Sequence, residues 1–306
     1  METLTLTAPA ASGTSAALSA PSWVDTESYP FAHRSVELPD GRMHYVEEGR
    51  GPLVLFVHGT PTWSFEWRHL IRGLSSSHRC IAPDLLGFGL SERPERFEYT
   101  PEAHARALAT FVERLGLKDF TLVVHDFGGP IGLPLALEQP ERIRELVLFN
   151  TWMWSFAEDR EMVQRGKIVS GALGGFLYRR LNFSLRVLAP SAYGDRRKLT
   201  RRIHRQYLAP FPDAKSRGQV LWALARALNG SSAFYASQWE RRQRLQGRPA
   251  LILWGMKDTA FRPHMLGRWK EALPDARVVE LADAGHWPHE ESPEAVLREL
   301  RAFLSS

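Results

Sequence analysis

The chain has 306 residues, of which 44% are hydrophobic and 24% charged, and its formal net charge is +5. This length suits one large α/β domain or two small ones, and no stretch approaches the ~20 consecutive apolar residues of a membrane-spanning helix. Cys80 is the only cysteine, which excludes a disulfide framework and a cysteine-based metal site. We expect a cytoplasmic protein without stable membrane insertion, and the sequence gives no sign of a metal or a cofactor.

The N-terminal segment, residues 1–22, is small and polar and lacks the basic residues and compact apolar run of a signal peptide. We predict that it is a disordered tail. After it, the stretch HRSVELPDGRMHYVEEG contains two alternating segments on either side of Pro-Asp-Gly. This arrangement predicts a β-hairpin.

Six short apolar runs bounded by turn signals follow, and they read LVLFVHG, CIAPD, FTLVVHD, ELVLFN, ALILWG and RVVELAD. Several are rich in Val, Leu or Ile without alternation, which is typical of strands buried on both faces of a parallel sheet. Helical segments lie between them. In TPEAHARALATFVERLG, for example, Thr100 is a suitable N-cap, Pro101 suits the first turn and Gly116 ends the helix.

The alternation of strands and helices stops near Thr151 and resumes near Arg248. The segment from Ser155 to Leu245 contains eighteen Lys and Arg but six Asp and Glu, a balance of +12 that leaves −7 for the rest of the chain. Such a division of charge suggests two structural units. We therefore predict an α/β core, formed by residues 23–151 and 246–306, and a helical cap, formed by residues 152–245.

The basic segment includes DRRKLTRRIHRQYL, in which Leu199, Ile203 and Tyr207 recur every four residues. This spacing predicts an amphipathic helix with an arginine-rich outer face. A solvated lid helix is the simplest interpretation, and attraction to an anionic membrane surface or substrate is the alternative. No nucleic-acid-binding motif accompanies the charge, so we expect no nucleic-acid partner.

The strand FTLVVHD ends at Asp126, and two glycines follow after one residue. A strand, a sharp turn and a helix with a reactive side chain at the apex form the nucleophile elbow of α/β-hydrolases. Gly128 and Gly129 allow the helix to approach the strand closely, because a Cβ there would collide with it. Taken alone, Asp126 equally fits a helix N-cap.

An elbow of this kind has an acid and a histidine as partners, in that order along the chain. LWGMKD places Asp258 just past one strand, and LADAGHWPHEESPE places His286 in the turn after the last strand. Both loops are predicted at the same edge of the sheet as Asp126, which favours a catalytic site. In FVHGTPTWS, the backbone N–H of Thr60 is placed to form an oxyanion hole together with the N–H of Phe127.

Five motifs resemble those of the haloalkane dehalogenase family of α/β-hydrolases, namely HGTPTWSFEWR, HDFGGPIGL, YLAPFPDAKSR, WGMKD and DAGHWPHEESPE. The resemblance extends from about Phe31 to the C-terminus, and it implies a mostly parallel sheet with an inserted helical cap. It also implies Asp126 as nucleophile, His286 as base and Asp258 as the acid that orients it. The implied reaction cleaves a carbon–halogen bond of a small lipophilic substrate through an ester on Asp126, which water then hydrolyses.

The sequence departs from this family at the two N–H donors that hold the departing halide. Phe127 stands where the family usually has tryptophan, and Thr60 stands where it can have asparagine. Trp154, Tyr207 and Tyr235 are the candidates for leaving-group or substrate contacts.

Two alternative functions stay open. An epoxide hydrolase would use the same aspartate, with cap tyrosines that protonate the epoxide oxygen. The tyrosines available are Tyr178, Tyr193, Tyr207 and Tyr235. A non-catalytic binder of lipophilic molecules is the other alternative, although a binder has no use for a poised pair of histidine and aspartate.

Overall fold

The structure, a computed structural model, describes residues 16–305 and is built around one nine-stranded sheet. The strands lie in the order β1-β2-β3-β5-β4-β6-β7-β8-β9. They are β1 (Ala16–Ala17), β2 (His33–Leu38), β3 (Gly41–Glu48), β4 (Leu53–Val57), β5 (Arg79–Pro83), β6 (Phe120–Asp126), β7 (Ile143–Thr151), β8 (Ala250–Gly255) and β9 (Arg277–Leu281).

The strand directions confirm the predicted hairpin and the predicted parallel sheet. β2 pairs antiparallel with β3, and β3 pairs antiparallel with β5. From β5 across to β9, every neighbouring pair is parallel. The carboxyl ends of β4, β6, β7, β8 and β9 therefore meet at one edge of the sheet, where open α/β sheets bind their ligands.

Burial follows from the position of each strand in the sheet. Every residue of β4, β6 and β8 is buried, as expected for central strands covered on both faces. In β9, by contrast, no residue is fully buried. This strand lies at the edge of the sheet, with a neighbouring strand on one side.

Six helices pack around the sheet, and they are α1 (Arg68–Leu74), α2 (Pro101–Arg114), α3 (Gly128–Glu138), α11 (Pro263–Ala272), α12 (Pro288–Glu291) and α13 (Pro293–Leu304). The predicted N-cap of α2 is confirmed, since the Thr100 hydroxyl oxygen accepts the N–H of Ala103 at 3.2 Å. Gly116, with φ of +60°, follows the end of that helix. The left-handed conformation there suits glycine, which has no Cβ to clash with the backbone.

The chain between β7 and β8 contains only helical elements in its regular structure. Its α-helices are α4 (Arg160–Ser170), α5 (Ala172–Leu181), α6 (Ala189–Ala192), α7 (Arg201–Leu208), α8 (Ala214–Ser216), α9 (Trp222–Gly230) and α10 (Ser232–Glu240). We call residues 152–245 the helical insertion. Buried hydrogen bonds join it to the rest of the molecule, and the Tyr193 hydroxyl, for instance, donates to Oε2 of Glu290 at 3.0 Å.

The predicted disordered tail, residues 1–22, can be compared with the structure only from residue 16, because residues 1–15 lie outside the described residues. Ala16 and Ala17 pair with Ser35 and Arg34 at the edge of the sheet. This pairing departs from the disordered tail predicted up to residue 22, since an edge strand offers free backbone groups that a short segment can satisfy. Within residues 16–305, none of the helices combines the length and apolar character needed to cross a bilayer.

Candidate active site

Asp126 lies in a strained turn between β6 and α3. Its φ is +49°, in the left-handed region that residues other than glycine rarely adopt. The neighbouring glycines permit this turn: a Cβ on Gly128 would lie 2.2 Å from the carbonyl oxygen of Val57, and a Cβ on Gly129 would lie 1.9 Å from Oγ1 of Thr151. The turn has the geometry of a nucleophile elbow, which presents the carboxylate at the carboxyl edge of the sheet.

The loop after β4 approaches Asp126 from the other side. The backbone N–H of Thr60 donates to Oδ1 of Asp126 at 2.8 Å. Only glycine fits before Thr60, because a Cβ on Gly59 would lie 2.4 Å from the Cβ of Asp126. The second predicted donor, the N–H of Phe127, forms no hydrogen bond with this carboxylate in the described part of the chain, so its role in an oxyanion hole stays a prediction.

The structure brings Asp126, His286 and Asp258 together, and all three side chains are buried. Nδ1 of His286 donates to Oδ2 of Asp258 at 2.7 Å, and Nε2 lies 3.5 Å from Oδ2 of Asp126. The imidazole therefore stands between the two carboxylates, with one nitrogen committed to Asp258 and the other facing Asp126. This is the order of groups in a nucleophile, base and acid triad.

The two carboxylates control the protonation of His286. Burial by itself would lower the pKa of the imidazole. The negative charge of Asp258, the hydrogen bonds to Asp126 and Asp258, and the charge of Asp126 together outweigh burial. The pKa is raised from its ordinary value of 6.5 to about 10. At neutral pH the histidine therefore carries a proton as long as both carboxylates are charged.

Asn150, at the end of β7, holds Asp258 in place. Its Nδ2 donates to Oδ2 of Asp258 at 2.8 Å, and its Oδ1 accepts the N–H of Gly255 at 2.8 Å. The other carboxylate oxygen of Asp258 accepts the N–H of Ala260 at 2.6 Å. Asn150 is not among the site residues that the sequence predicts. The signal that would have identified it is its place at the end of the strand that neighbours β8.

A second group of buried polar side chains lies behind His286. His125 donates from Nε2 to the carbonyl oxygen of His286 at 2.8 Å, and its Nδ1 lies 3.2 Å from Oε1 of Glu66. The first of these bonds fixes the backbone of His286, and His125 is not among the site residues that the sequence predicts. Glu66, His125 and His289 bring potential metal-ligating atoms within 4.8 Å of one another. The expectation of no metal stays a prediction.

A cavity of about 520 Å³ opens beside the three residues. Asp126 and His286 lie in its wall, together with Thr60 and Phe127. Most of the remaining lining is apolar and includes Met162, Ile168, Val169, Leu188, Leu221, Leu228 and Phe261. A cavity of this size and character fits a small lipophilic molecule.

The three side chains predicted to contact the substrate do not line this cavity. The Tyr207 hydroxyl donates to Glu290, and the Tyr235 hydroxyl donates to the carbonyl oxygen of Ala227 at 3.1 Å. The Trp154 ring packs against two other tryptophan rings, with centroids 5.1 and 5.5 Å away. The prediction is wrong for all three because residue type and helical spacing do not reveal which face of the insertion meets the cavity.

Other cavity residues carry donors that lack a partner. The Tyr178 hydroxyl forms no hydrogen bond with the residues that the structure describes, and burial, followed by the charge of Asp126, raises its pKa. Nε1 of Trp287 and Oγ1 of Thr60 are buried and also unpaired within residues 16–305. The Phe127 ring packs edge-on against Trp152, with centroids 4.7 Å apart, and has no donor. Buried donors without partners are rare, and around a cavity they point to a ligand that accepts hydrogen bonds.

Comparisons with known proteins agree on the family to which this chain is similar. The profile of the family described as "alpha/beta hydrolase fold" matches residues 52–293. Haloalkane dehalogenase 2 of Mycobacterium tuberculosis is 38% identical over 273 residues, which cover 89% of this chain and 94% of that protein. The cis-3-alkyl-4-alkyloxetan-2-one decarboxylase of Xanthomonas campestris is 33% identical over 299 residues, covering 90% of this chain and 97% of that protein.

Solved structures show the same fold. The crystal structure of the haloalkane dehalogenase DatA from Agrobacterium tumefaciens C58 matches with a TM-score of 0.79 and 28% identity, covering 89% of this chain and 96% of that one. The haloalkane dehalogenase DbeA from Bradyrhizobium elkanii matches with a TM-score of 0.78 and 25% identity, covering 89% and 96%.

Proposed function

The chain belongs to the haloalkane dehalogenase family of α/β-hydrolases, and we propose that it hydrolyses a haloalkane through a covalent ester on Asp126. One observation carries this proposal: a carboxylate at the apex of a strained elbow faces an apolar cavity, with Nε2 of His286 only 3.5 Å from its Oδ2. A carboxylate in this position attacks an sp³ carbon more readily than it cleaves a carboxylic ester, since attack on an ester would produce an anhydride.

In the first step, Oδ2 of Asp126 attacks the carbon that carries the halogen. Oδ1 is held by the N–H of Thr60, which leaves Oδ2 as the attacking oxygen. The new carbon–oxygen bond forms as the carbon–halogen bond breaks, and the halide leaves with the bonding electrons. The product of this step is an alkyl ester of Asp126.

Ester formation then converts His286 into a base. The ester of Asp126 carries no charge, so one of the two carboxylates that raise the pKa of His286 is lost, and the imidazole releases its proton more readily. Neutral His286 takes a proton from water at Nε2, and the hydroxide attacks Cγ of Asp126. The negative charge develops on Oδ1, where the N–H of Thr60 already donates. The tetrahedral intermediate collapses, and the alcohol leaves with the proton returned by His286. The hydroxyl proton of the resulting carboxylic acid then passes to Nε2 of His286, which restores the carboxylate and the charged imidazole.

The leaving halide needs hydrogen-bond donors, because an unsolvated anion in an apolar cavity is costly. Phe127 supplies none from its side chain. The unpaired indole N–H of Trp287 and the hydroxyl of Thr60, both on residues of the cavity wall, are the donors that we assign to this role.

The ester can be tested by removing the base. With His286→Gln, 1-bromohexane should alkylate Asp126 and the ester should accumulate, because its hydrolysis requires His286. Mass spectrometry of the intact protein should then show one added hexyl group, and peptide analysis should place it on Asp126. The double variant Asp126→Asn with His286→Gln is the matched control and should stay unmodified. An unmodified single variant, or hexyl groups on other residues, would contradict the mechanism.

A second candidate reaction is the opening of a strained cyclic oxygen compound by the same aspartate. The observation that favours it is the unpaired Tyr178 hydroxyl, which shares the cavity with Asp126 and stays protonated because its pKa is raised. An alkoxide leaving group, as in an epoxide, requires such a proton donor, whereas a halide does not. The relatives from Xanthomonas campestris and Shewanella oneidensis are named for an oxetan-2-one, which is a cyclic ester of this strained kind.

A substrate panel separates the two reactions. Bromohexane should release bromide, 1,2-epoxyhexane should give a diol, and a cis-3,4-dialkyloxetan-2-one should give an alkene and carbon dioxide if the chain acts as those relatives are named. Tyr178→Phe should lower the rate of epoxide turnover by about 10²-fold, the lower end of general acid catalysis, and leave bromide release unchanged. Equal losses with all substrates would contradict a role of Tyr178 as proton donor.

A further inference from the structure

The large exposed hydrophobic side chains of the described residues are concentrated in one short stretch of the helical insertion. Their exposed fractions run from 39% for Leu188 to 62% for Leu173. The set consists of Ile168, Leu173, Phe176, Leu181, Val187 and Leu188, and we call it the apolar patch. Scattered exposed hydrophobic residues are ordinary, but six of them concentrated within some twenty positions indicate an interaction surface.

The apolar patch adjoins the active-site cavity. Ile168 and Leu188 belong to the patch and also line the cavity. Helix α5 connects the two surfaces, because Leu173 and Phe176 are exposed on its outer side while Tyr178 is buried and lines the cavity. A molecule that leaves an apolar phase at the patch would therefore enter the cavity without crossing open water.

Unpaired positive charges flank the patch. The side chains of Lys167, Arg180 and Arg186 are exposed, and each lacks an ion-pair partner within residues 16–305. Next to them lies an open groove of about 720 Å³, whose wall contains the basic side chains of Arg179, Arg180, Lys215 and Arg226 and a single acidic one, Glu95. Apolar side chains edged by basic ones match the composition of helices that lie in the interface of an anionic bilayer.

We propose that this surface docks the protein on an anionic lipid bilayer, with the apolar patch in the interfacial region and the basic groove against the headgroups. Charge complementarity identifies the occupant, since a purely apolar partner would leave the three unpaired cations and the basic groove without a counter-charge. Docking places the cavity mouth against the bilayer. Delivery of the lipophilic substrate from the bilayer to the cavity rests on the proposed function. The docking itself does not depend on that function.

Vesicle sedimentation tests the proposal with the full-length protein. The wild type should sediment with vesicles of phosphatidylcholine mixed with phosphatidylglycerol, bind pure phosphatidylcholine weakly, and dissociate as salt is added. Lys167→Gln with Arg180→Gln should weaken binding to the anionic vesicles roughly thirtyfold, since each basic residue at such a surface contributes about a fivefold change. Leu173→Ser with Phe176→Ser should weaken it at least about tenfold through lost apolar burial.

The matched control is the double variant Arg114→Gln with Lys118→Gln, which also removes two positive charges. These residues lie close to the amino end of β6, at the opposite end of the strands from the active site. These residues are exposed, and this variant should bind vesicles like the wild type. Circular dichroism melting verifies that each variant is folded, independently of any enzymatic assay. Equal binding by patch and control variants would overturn the proposal. A second result would also overturn it. In this case the wild type does not bind anionic vesicles but forms a dimer in analytical ultracentrifugation, and the double variant Leu173→Ser with Phe176→Ser is a monomer.

Discussion

Asn150 and Asp258 are joined by a hydrogen bond of 2.8 Å from Nδ2 to Oδ2, the same oxygen that accepts from His286 at 2.7 Å. The amide and the imidazole therefore converge on one carboxylate oxygen. Because the side chain of residue 150 and Nδ1 of His286 bond to the same carboxylate oxygen, we expect an acid at position 150 to replace Asp258 as the partner of His286.

This relationship predicts the outcome of exchanging the two side chains. Asp258→Asn should lower the rate of ester hydrolysis by about 10⁴-fold, as loss of the orienting acid does in other triads. Adding Asn150→Asp to that variant should recover at least about tenfold, since roughly 1.4 kcal/mol of restored charge stabilisation gives that factor. Single-turnover kinetics measure both rates. Asn150→Asp alone is the control, and no recovery in the double variant would show that position 150 cannot reach His286.

Phe127→Trp should accelerate bromide release. An indole N–H next to Asp126 would add one hydrogen bond to the departing anion, and a bond to a charged group contributes about 1.5–3 kcal/mol, or roughly 10–150-fold in rate. Stopped-flow measurement of bromide release reports the step. Phe127→Leu, which changes the ring without adding a donor, should bring no gain. A folded Phe127→Trp protein that is no faster would mean that halide binding does not limit this step.

Gly59→Ala should impair the site. The new Cβ would lie 2.4 Å from the Cβ and Oδ1 of Asp126, so the loop or the carboxylate has to move. A displacement near 1 Å at a reacting group costs about 10²-fold in kcat. Gly267→Ala in α11 is the matched control, because its Cβ meets nothing within 4 Å. It should leave kcat unchanged and raise the free energy of unfolding by roughly 0.5–1 kcal/mol. Similar kcat losses in both variants would contradict the steric argument.

The raised pKa of His286 predicts a pH-dependent stability. The folded protein holds the proton up to a pH of about 10, whereas the unfolded chain releases it near 6.5, so the stabilisation is complete below 6.5 and is lost as pH rises towards 10. The free energy of unfolding should fall in this range by up to about 1.4 kcal/mol per pH unit for this proton. Urea unfolding of the wild type and His286→Gln measures it. The slopes should differ by this amount, and identical slopes would contradict the raised pKa.

The sequence by itself determined the parallel arrangement of the sheet and the proximity of Asp126, His286 and Asp258. Asp126 and its two glycines form a local turn whose geometry depends on adjacent residues. The other two follow strand ends, and the carboxyl ends of parallel strands meet at one edge of the sheet whatever else the chain does. These inferences required only the order of the strands and the residues that follow each one.

Only the tertiary structure decided which side chains surround that carboxylate. Tyr207 and Tyr235 face buried partners while Tyr178 lines the cavity, and nothing in their local sequence distinguishes them. The rotation of each helix in the insertion is set by its packing against neighbouring helices. Asn150 likewise acquires its role only because β8 lies beside β7. Contacts between elements distant in the chain depend on how those elements pack, and that information is spread over the whole molecule.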